Sequence, residues 1–68
     1  MKPGDYAIIQ HKSFGEIICK IKRIEIFYED KWVFYENKQS HKLDPYLIIS
    51  NITSYEIIDE MQYRLMTS

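Results

Sequence analysis

The sequence predicts an all-β domain: one small five-stranded barrel followed by a short C-terminal tail. Three observations carry this. A turn at residues 2–5 delivers the chain into a first strand at Tyr6–His11, and from Glu16 onward apolar and polar residues alternate with period two, the spacing of a strand with one face buried. The longest such run, Glu16–Tyr28, is rich in isoleucine, whose branched Cβ packs well on a pleated surface. Short polar or glycine-containing breaks separate the runs. With 68 residues the chain supports one domain, residues 1–60, and a tail at 61–68.

The elements follow in order. Lys2-Pro3-Gly4-Asp5 is a turn that feeds a first strand at Tyr6–His11, with Pro3 and Gly4 setting the backbone and Asp5 able to bond the residues around it. Ser13-Phe14-Gly15 breaks the chain, and Gly15 is free to take positive φ. The second strand contains a phase change: Ile17, Cys19 and Ile21 are odd-numbered, whereas Ile24, Ile26 and Tyr28 are even-numbered. Strict alternation would send the two sets to opposite faces. An extra residue near Lys22-Arg23 repairs the phase, so a β-bulge is expected there, bending the strand.

Glu29-Asp30-Lys31 reads as the hairpin turn and Trp32–Glu36 as the returning strand. That strand is apolar on both faces, Trp32 and Phe34 against Val33 and Tyr35. Trp32 or Phe34 is the expected core residue, although both alternating sets could fill that role. Asn37–Asp44 is a polar loop, and Pro45 leads into a fourth strand at Tyr46–Ser50. The last third fits two patterns. In one, Ser50–Ser54 is a tight helical turn and Tyr55–Ile58 closes the sheet. In the other, a four-stranded sheet carries a helix over 54–66, with Thr53 as N-cap and Glu56 completing a capping box.

Composition narrows the function classes. Nine Lys+Arg against ten Asp+Glu give a net charge of −1, without the positive excess of an indiscriminate polyanion binder. At 46% hydrophobic and 15% aromatic residues the chain is too apolar to be disordered, and no apolar stretch reaches a membrane-spanning length. No signal-peptide pattern opens the sequence, and the single cysteine, Cys19, excludes an intrachain disulfide, so a cytoplasmic location is expected. Cys19 alternates with Ile17 and Ile21 and reads as a small core residue rather than a nucleophile. Asn51-Ile52-Thr53 matches a glycosylation sequon and reads as coincidental.

No catalytic pattern is present. His11 and His41 are far apart, read as solvent-facing, and lack the short Cys/His spacings of a zinc site, and two glycines cannot build a phosphate-cradling loop. No enzyme activity, metal or cofactor is expected. The aromatic residues are the sharper signal: Phe14, Phe27, Tyr28, Trp32, Phe34, Tyr35, Tyr46 and Tyr55 exceed what one small interior can take. Those left outside would form a contact surface, so Tyr28, Trp32, Tyr35 and Tyr46 are the candidate partner-binding residues. The alternative is a nucleic-acid interface built on Lys12, Lys20, Lys22 and Arg23, with rings nearby for base stacking. A homo-oligomer is a third possibility.

Four stretches together, Lys-Pro-Gly-Asp-Tyr-Ala-Ile-Ile, Phe-Gly-Glu-Ile-Ile-Cys-Lys-Ile, Trp-Val-Phe-Tyr and Tyr-Leu-Ile-Ile, resemble a small SH3-like β-barrel of the KOW type over residues 2–58. The chain departs from that pattern in carrying only two glycines. The resemblance implies a module that binds peptides, nucleic acid or partner domains. The Ile/Lys/Tyr-rich composition and small size also resemble phage-encoded proteins that occupy a host protein's surface. The expected function is therefore that of a non-enzymatic binding module, acting by occlusion or scaffolding as a phage-type inhibitor does.

Overall fold

A computed structural model of the chain describes residues 1–37 and 45–68. Five strands, β1 (Tyr6–His11), β2 (Gly15–Phe27), β3 (Asp30–Glu36), β4 (Tyr46–Ile48) and β5 (Ile52–Ile58), form one antiparallel sheet in the order β4-β3-β2-β1-β5. A single 3₁₀ turn, Ile49–Asn51, joins β4 to β5, and a helix, α1 (Glu60–Thr67), follows. The sheet is not closed into a barrel, in contrast to the expectation: β4 and β5 lie at its two opposite edges.

The bulge falls where the phase change requires it. Ile21 pairs with Tyr35 but Arg23 pairs with Phe34, so Lys22 is the inserted residue. Below the bulge Ile17, Cys19 and Ile21 face the core; above it Ile24 takes over, opposite Val33. A second register shift, between Gln10 and His11, leaves Thr53 of β5 without a partner, and its hydroxyl donates instead to the Gln10 carbonyl at 3.1 Å. The core is one cluster of Ala7, Ile9, Ile17, Cys19, Ile21, Val33 and Leu47, with Met1, Ile24, Tyr35, Ile49 and Ile52 packed around it. Met1 reaches this cluster because the N-terminal turn is tied to β2: Gly4 N–H donates to the Ile21 carbonyl and Ile21 N–H to that of Asp5, at 2.9 and 2.8 Å.

Phe34 is buried as expected, at 8% exposed, whereas Trp32 is not; both lie on the face opposite Val33 and Tyr35, which join the central cluster. Pairing alone decides this, because Val33 stands opposite Ile24 and Leu47 and so shares their face. The hairpin turn is Tyr28–Glu29, not Glu29-Asp30-Lys31: Phe27 pairs directly with Asp30, leaving a two-residue loop with φ of 51° and 66°. Two positive φ values are the signature of the turn whose twist matches a β-hairpin, so the geometry prevails over the residues' own preference. The five-stranded reading holds over the four-stranded alternative, and the C-terminal tail is helical. The helix is capped by Asp59 rather than Thr53, the Asp59 carboxylate accepting from Gln62 N–H at 2.7 Å while the Gln62 side chain accepts from Asp59 N–H at 3.2 Å. Thr53 and Glu56 are strand residues, and α1 is shorter than the expected 54–66 segment.

Candidate functional site: an aromatic ledge on the outer sheet face

On the face of β2–β3–β4 that turns away from the core, cross-strand pairing aligns Arg23 with Phe34, Glu25 with Trp32, Phe34 with Tyr46 and Trp32 with Ile48. Side chains in opposed positions meet, and here they assemble a ledge of rings. Trp32 and Tyr46 stack with centroids 4.6 Å apart and planes at 21°. Phe27 meets the Trp32 ring edge-on at 5.7 Å, and Phe34 leans on Tyr46 at 5.8 Å. The Arg23 guanidinium lies 3.9 Å above the Phe34 ring and also pairs with Glu25 at 3.4 Å. Covered by these neighbours, Phe34 is only 8% exposed although it is outside the core cluster.

The rest of the ledge is open. Phe27 and Tyr46 are 45% and 47% exposed, and Tyr28 at the hairpin tip is 97% exposed. The structure thus brings together Trp32 and Tyr46 of the expected set and places Tyr28 at the end of the same hairpin. Tyr35 is not part of the ring stack. It lies on the opposite face against the core, where burial, followed by the influence of Cys19, raises its phenol pKa. Sequence reading noted Phe27 among the surplus rings but did not place it in the site. Its position follows from the two-residue turn, which fixes it across from Asp30.

Of the four cations of the alternative site, Lys20, Lys22 and Arg23 lie on β2 and Lys12 lies apart from Lys20. Lys12 follows the end of β1, whereas Lys20 pairs with Tyr6 at that strand's start. The Lys20 ammonium lies 5.6 Å over the Tyr6 ring, Lys22 is the bulge residue, and Arg23 belongs to the ledge.

Two further features emerge. His11, expected to face solvent, instead continues the inward series Ala7, Ile9 and is 8% exposed. Its Nδ1 accepts the backbone N–H groups of Ser13 and Phe14 at 3.0 and 3.1 Å, and its ring stacks on Phe14 at 4.4 Å. The imidazole thereby organises the β1–β2 turn, which fixes the ring's acceptor nitrogen. It also lines a cleft of about 330 Å³ with Phe14, Tyr35, Pro45, Tyr46 and Leu47. The signal for a buried His11 was present in its parity with Ala7 and Ile9. On the outer face, Tyr63 of α1 packs on Tyr6 at 4.7 Å, and Tyr6 donates to Glu60 at 3.3 Å; burial is the main cause of a raised Tyr63 pKa.

Cys19 is fully enclosed, and burial pushes its thiol up to about 12, so it stays protonated and unreactive at neutral pH. Among the described residues no three His, Cys, Asp or Glu side chains are grouped so as to hold a metal ion, and no helix is long and apolar enough to cross a membrane. His41 and most of the polar loop at 37–44 lie outside the described residues. Compared with known protein families, curated proteins and solved structures, the chain matches none.

Proposed function

We propose that this chain is a small non-enzymatic binding module that docks on a partner protein through the ledge formed by Phe27, Trp32 and Tyr46, with Tyr28 projecting from the hairpin tip. The observation that carries the reading is the Trp32–Tyr46 stack, held at 4.6 Å on a face that the core does not use. Tyr and Trp combine large rigid apolar area with a polar tip, and they dominate interface hot spots. A cluster fixed by cross-strand pairing loses little conformational freedom on binding. Tyr35, on the opposite face, contributes through packing rather than contact.

The fold supports the same reading. Strand order β4-β3-β2-β1-β5, a bulged second strand and a one-turn helix before β5 favour an opened SH3-like architecture, which serves binding more often than catalysis. Small size and a rigid ring surface suit a protein that occludes another's site, as a phage-type inhibitor would in the cytoplasm of its host.

The test is affinity capture from source-cell lysate, with and without nuclease, at low and high salt. A defined protein that survives nuclease and salt, is lost with Trp32→Ala and Tyr46→Ala, and is retained by Lys20→Glu with Lys22→Glu is the expected result. Recovery of nucleic acid that disappears with nuclease or salt would overturn it and favour the basic residues, because phosphate contacts weaken steeply as salt rises. Arg23 stays unchanged in this comparison, since it packs on Phe34 and belongs to the ledge.

A further inference from the structure

We infer that β5 is a self-pairing edge through which two copies of this chain join their sheets. The two edges of the sheet differ. β4 has three residues and follows Pro45, and short or proline-flanked edges resist pairing. β5 has seven residues, contains no proline and one charge, Glu56, and pairs only with β1 among the described strands. Its free side carries unpaired backbone donors and acceptors.

The apolar face also stops short there. Ala7 and Ile9 of β1 are fully buried, yet their partners across the ladder, Ile57 and Tyr55, remain 45% and 48% exposed. The inner face therefore extends one strand beyond its cover, and a further strand beside β5 would continue it.

Symmetry and charge select the occupant. A two-fold axis perpendicular to the sheet pairs antiparallel edges so that one residue faces its own copy. Centring on Tyr55, the midpoint of Ile52–Ile58, sets Ser54 against Glu56 on both sides of the axis, in the regular part of the strand; the shift at Thr53 leaves Ile52 and Ile58 on opposite faces, so the outermost residues do not pair. No like charges meet, and two tyrosines lie side by side at the axis, a favourable cross-strand pair. Moving the centre one residue toward the C-terminus would oppose Glu56 to Glu56, and moving it one residue the other way, onto Ser54, shortens the overlap and loses the tyrosine pair. The strand is thus complementary to itself in the register centred on Tyr55. With only the regular part of the strand pairing, the interface is at the small end of specific contacts, so dissociation constants between roughly micromolar and millimolar are expected.

Sedimentation equilibrium from about 10 µM to about 1 mM tests this. Apparent mass should rise toward twice that of the monomer. Tyr55→Lys sets two cations face to face and should hold the mass at one chain, whereas Glu56→Lys, opposite Ser54, should leave the rise intact. Circular dichroism confirms that each variant folds. Register is read by mild oxidation of single-cysteine additions, since native Cys19 is enclosed and inert. Tyr55→Cys should cross-link to itself, and Glu56→Cys should cross-link only when mixed with Ser54→Cys. A mass that stays monomeric at the highest concentration, or Glu56→Cys linking to itself as readily as Tyr55→Cys, would overturn the inference. Both readouts are independent of the ledge and of whatever it binds.

Discussion

Strand β3 has two apolar faces, and the molecule treats them differently. Val33 is sealed beneath Ile24 and Leu47, continuous with the central cluster, and needs no specific partner beyond close packing. Trp32 and Phe34, one residue away on either side, depend on directional contacts: a stack, an edge-on ring and a guanidinium. Apolar character alone therefore does not define the core of a small sheet. Cross-strand pairing decides which face joins the central cluster, and the other becomes a partly exposed platform of stacked rings.

The sharpest way to separate the two faces is to truncate each. Ile21→Ala removes a core side chain that is almost completely buried and should cost about 3 kcal/mol, much of the stability of so short a chain. Chemical denaturation would show the midpoint collapse. Trp32→Ala should cost only about 1 kcal/mol, the scale of its ring contacts, while abolishing capture of the partner.

The core face also has a pH signature. The Cys19 thiol is raised from 9.0 to about 12 by burial, so between these values the unfolded chain releases a proton that the folded chain retains. Stability is complete below pH 9 and falls as pH rises through this window. The loss is roughly 1.4 kcal/mol at pH 10. Cys19→Ala should flatten the decline measured by urea unfolding between pH 8 and pH 10, and an equal decline in both proteins would refute the assignment. Thiol reagents at pH 8 should label Cys19 only after denaturation.

On the ledge, Arg23→Ala should cost about 1 kcal/mol by uncovering Phe34, measured against Arg23→Lys, which keeps charge but loses the flat guanidinium stack. The smallest effect is a gain. Tyr28 and Glu29 hold φ values that Asn and Gly adopt more readily. Tyr28→Asn with Glu29→Gly should add roughly 0.5–1 kcal/mol yet weaken capture if Tyr28 touches the partner. A thermal melt and one binding assay read both halves.

Much of the sheet was legible because isoleucine parity encodes it. The same parity located the bulge, since only an inserted residue reconciles Ile21 with Ile24. The faces of β3 were not legible, because both sets of side chains are apolar and only the pairing of Val33 with Ile24 distinguishes them. The turn was misplaced because Tyr28-Glu29 contains none of the residues that announce positive φ; cross-strand register imposes it. Asp59 was overlooked as a cap because Thr53 and Glu56 offered an equally good local pattern, which the β1–β5 ladder overrides. The ledge was half legible. Its residue types were evident, but Arg23 read as a phosphate contact and Tyr35 as an anchor until the faces were assigned.

The β1–β5 ladder has one further consequence. Tyr6 pairs with Ile58, so the two ends of the sheet's sequence meet, while β1–β2 and β2–β3 are local hairpins with two- or three-residue connections. Local hairpins close within microseconds, whereas a contact spanning most of the chain waits for loop closure. As the chain leaves a ribosome, β1 to β4 can pair early, but β1 keeps a bare flank until residues 52–58 have emerged. The rate of synthesis up to that point, rather than the strength of any single contact, then sets how long the nascent sheet offers that flank to a neighbouring chain.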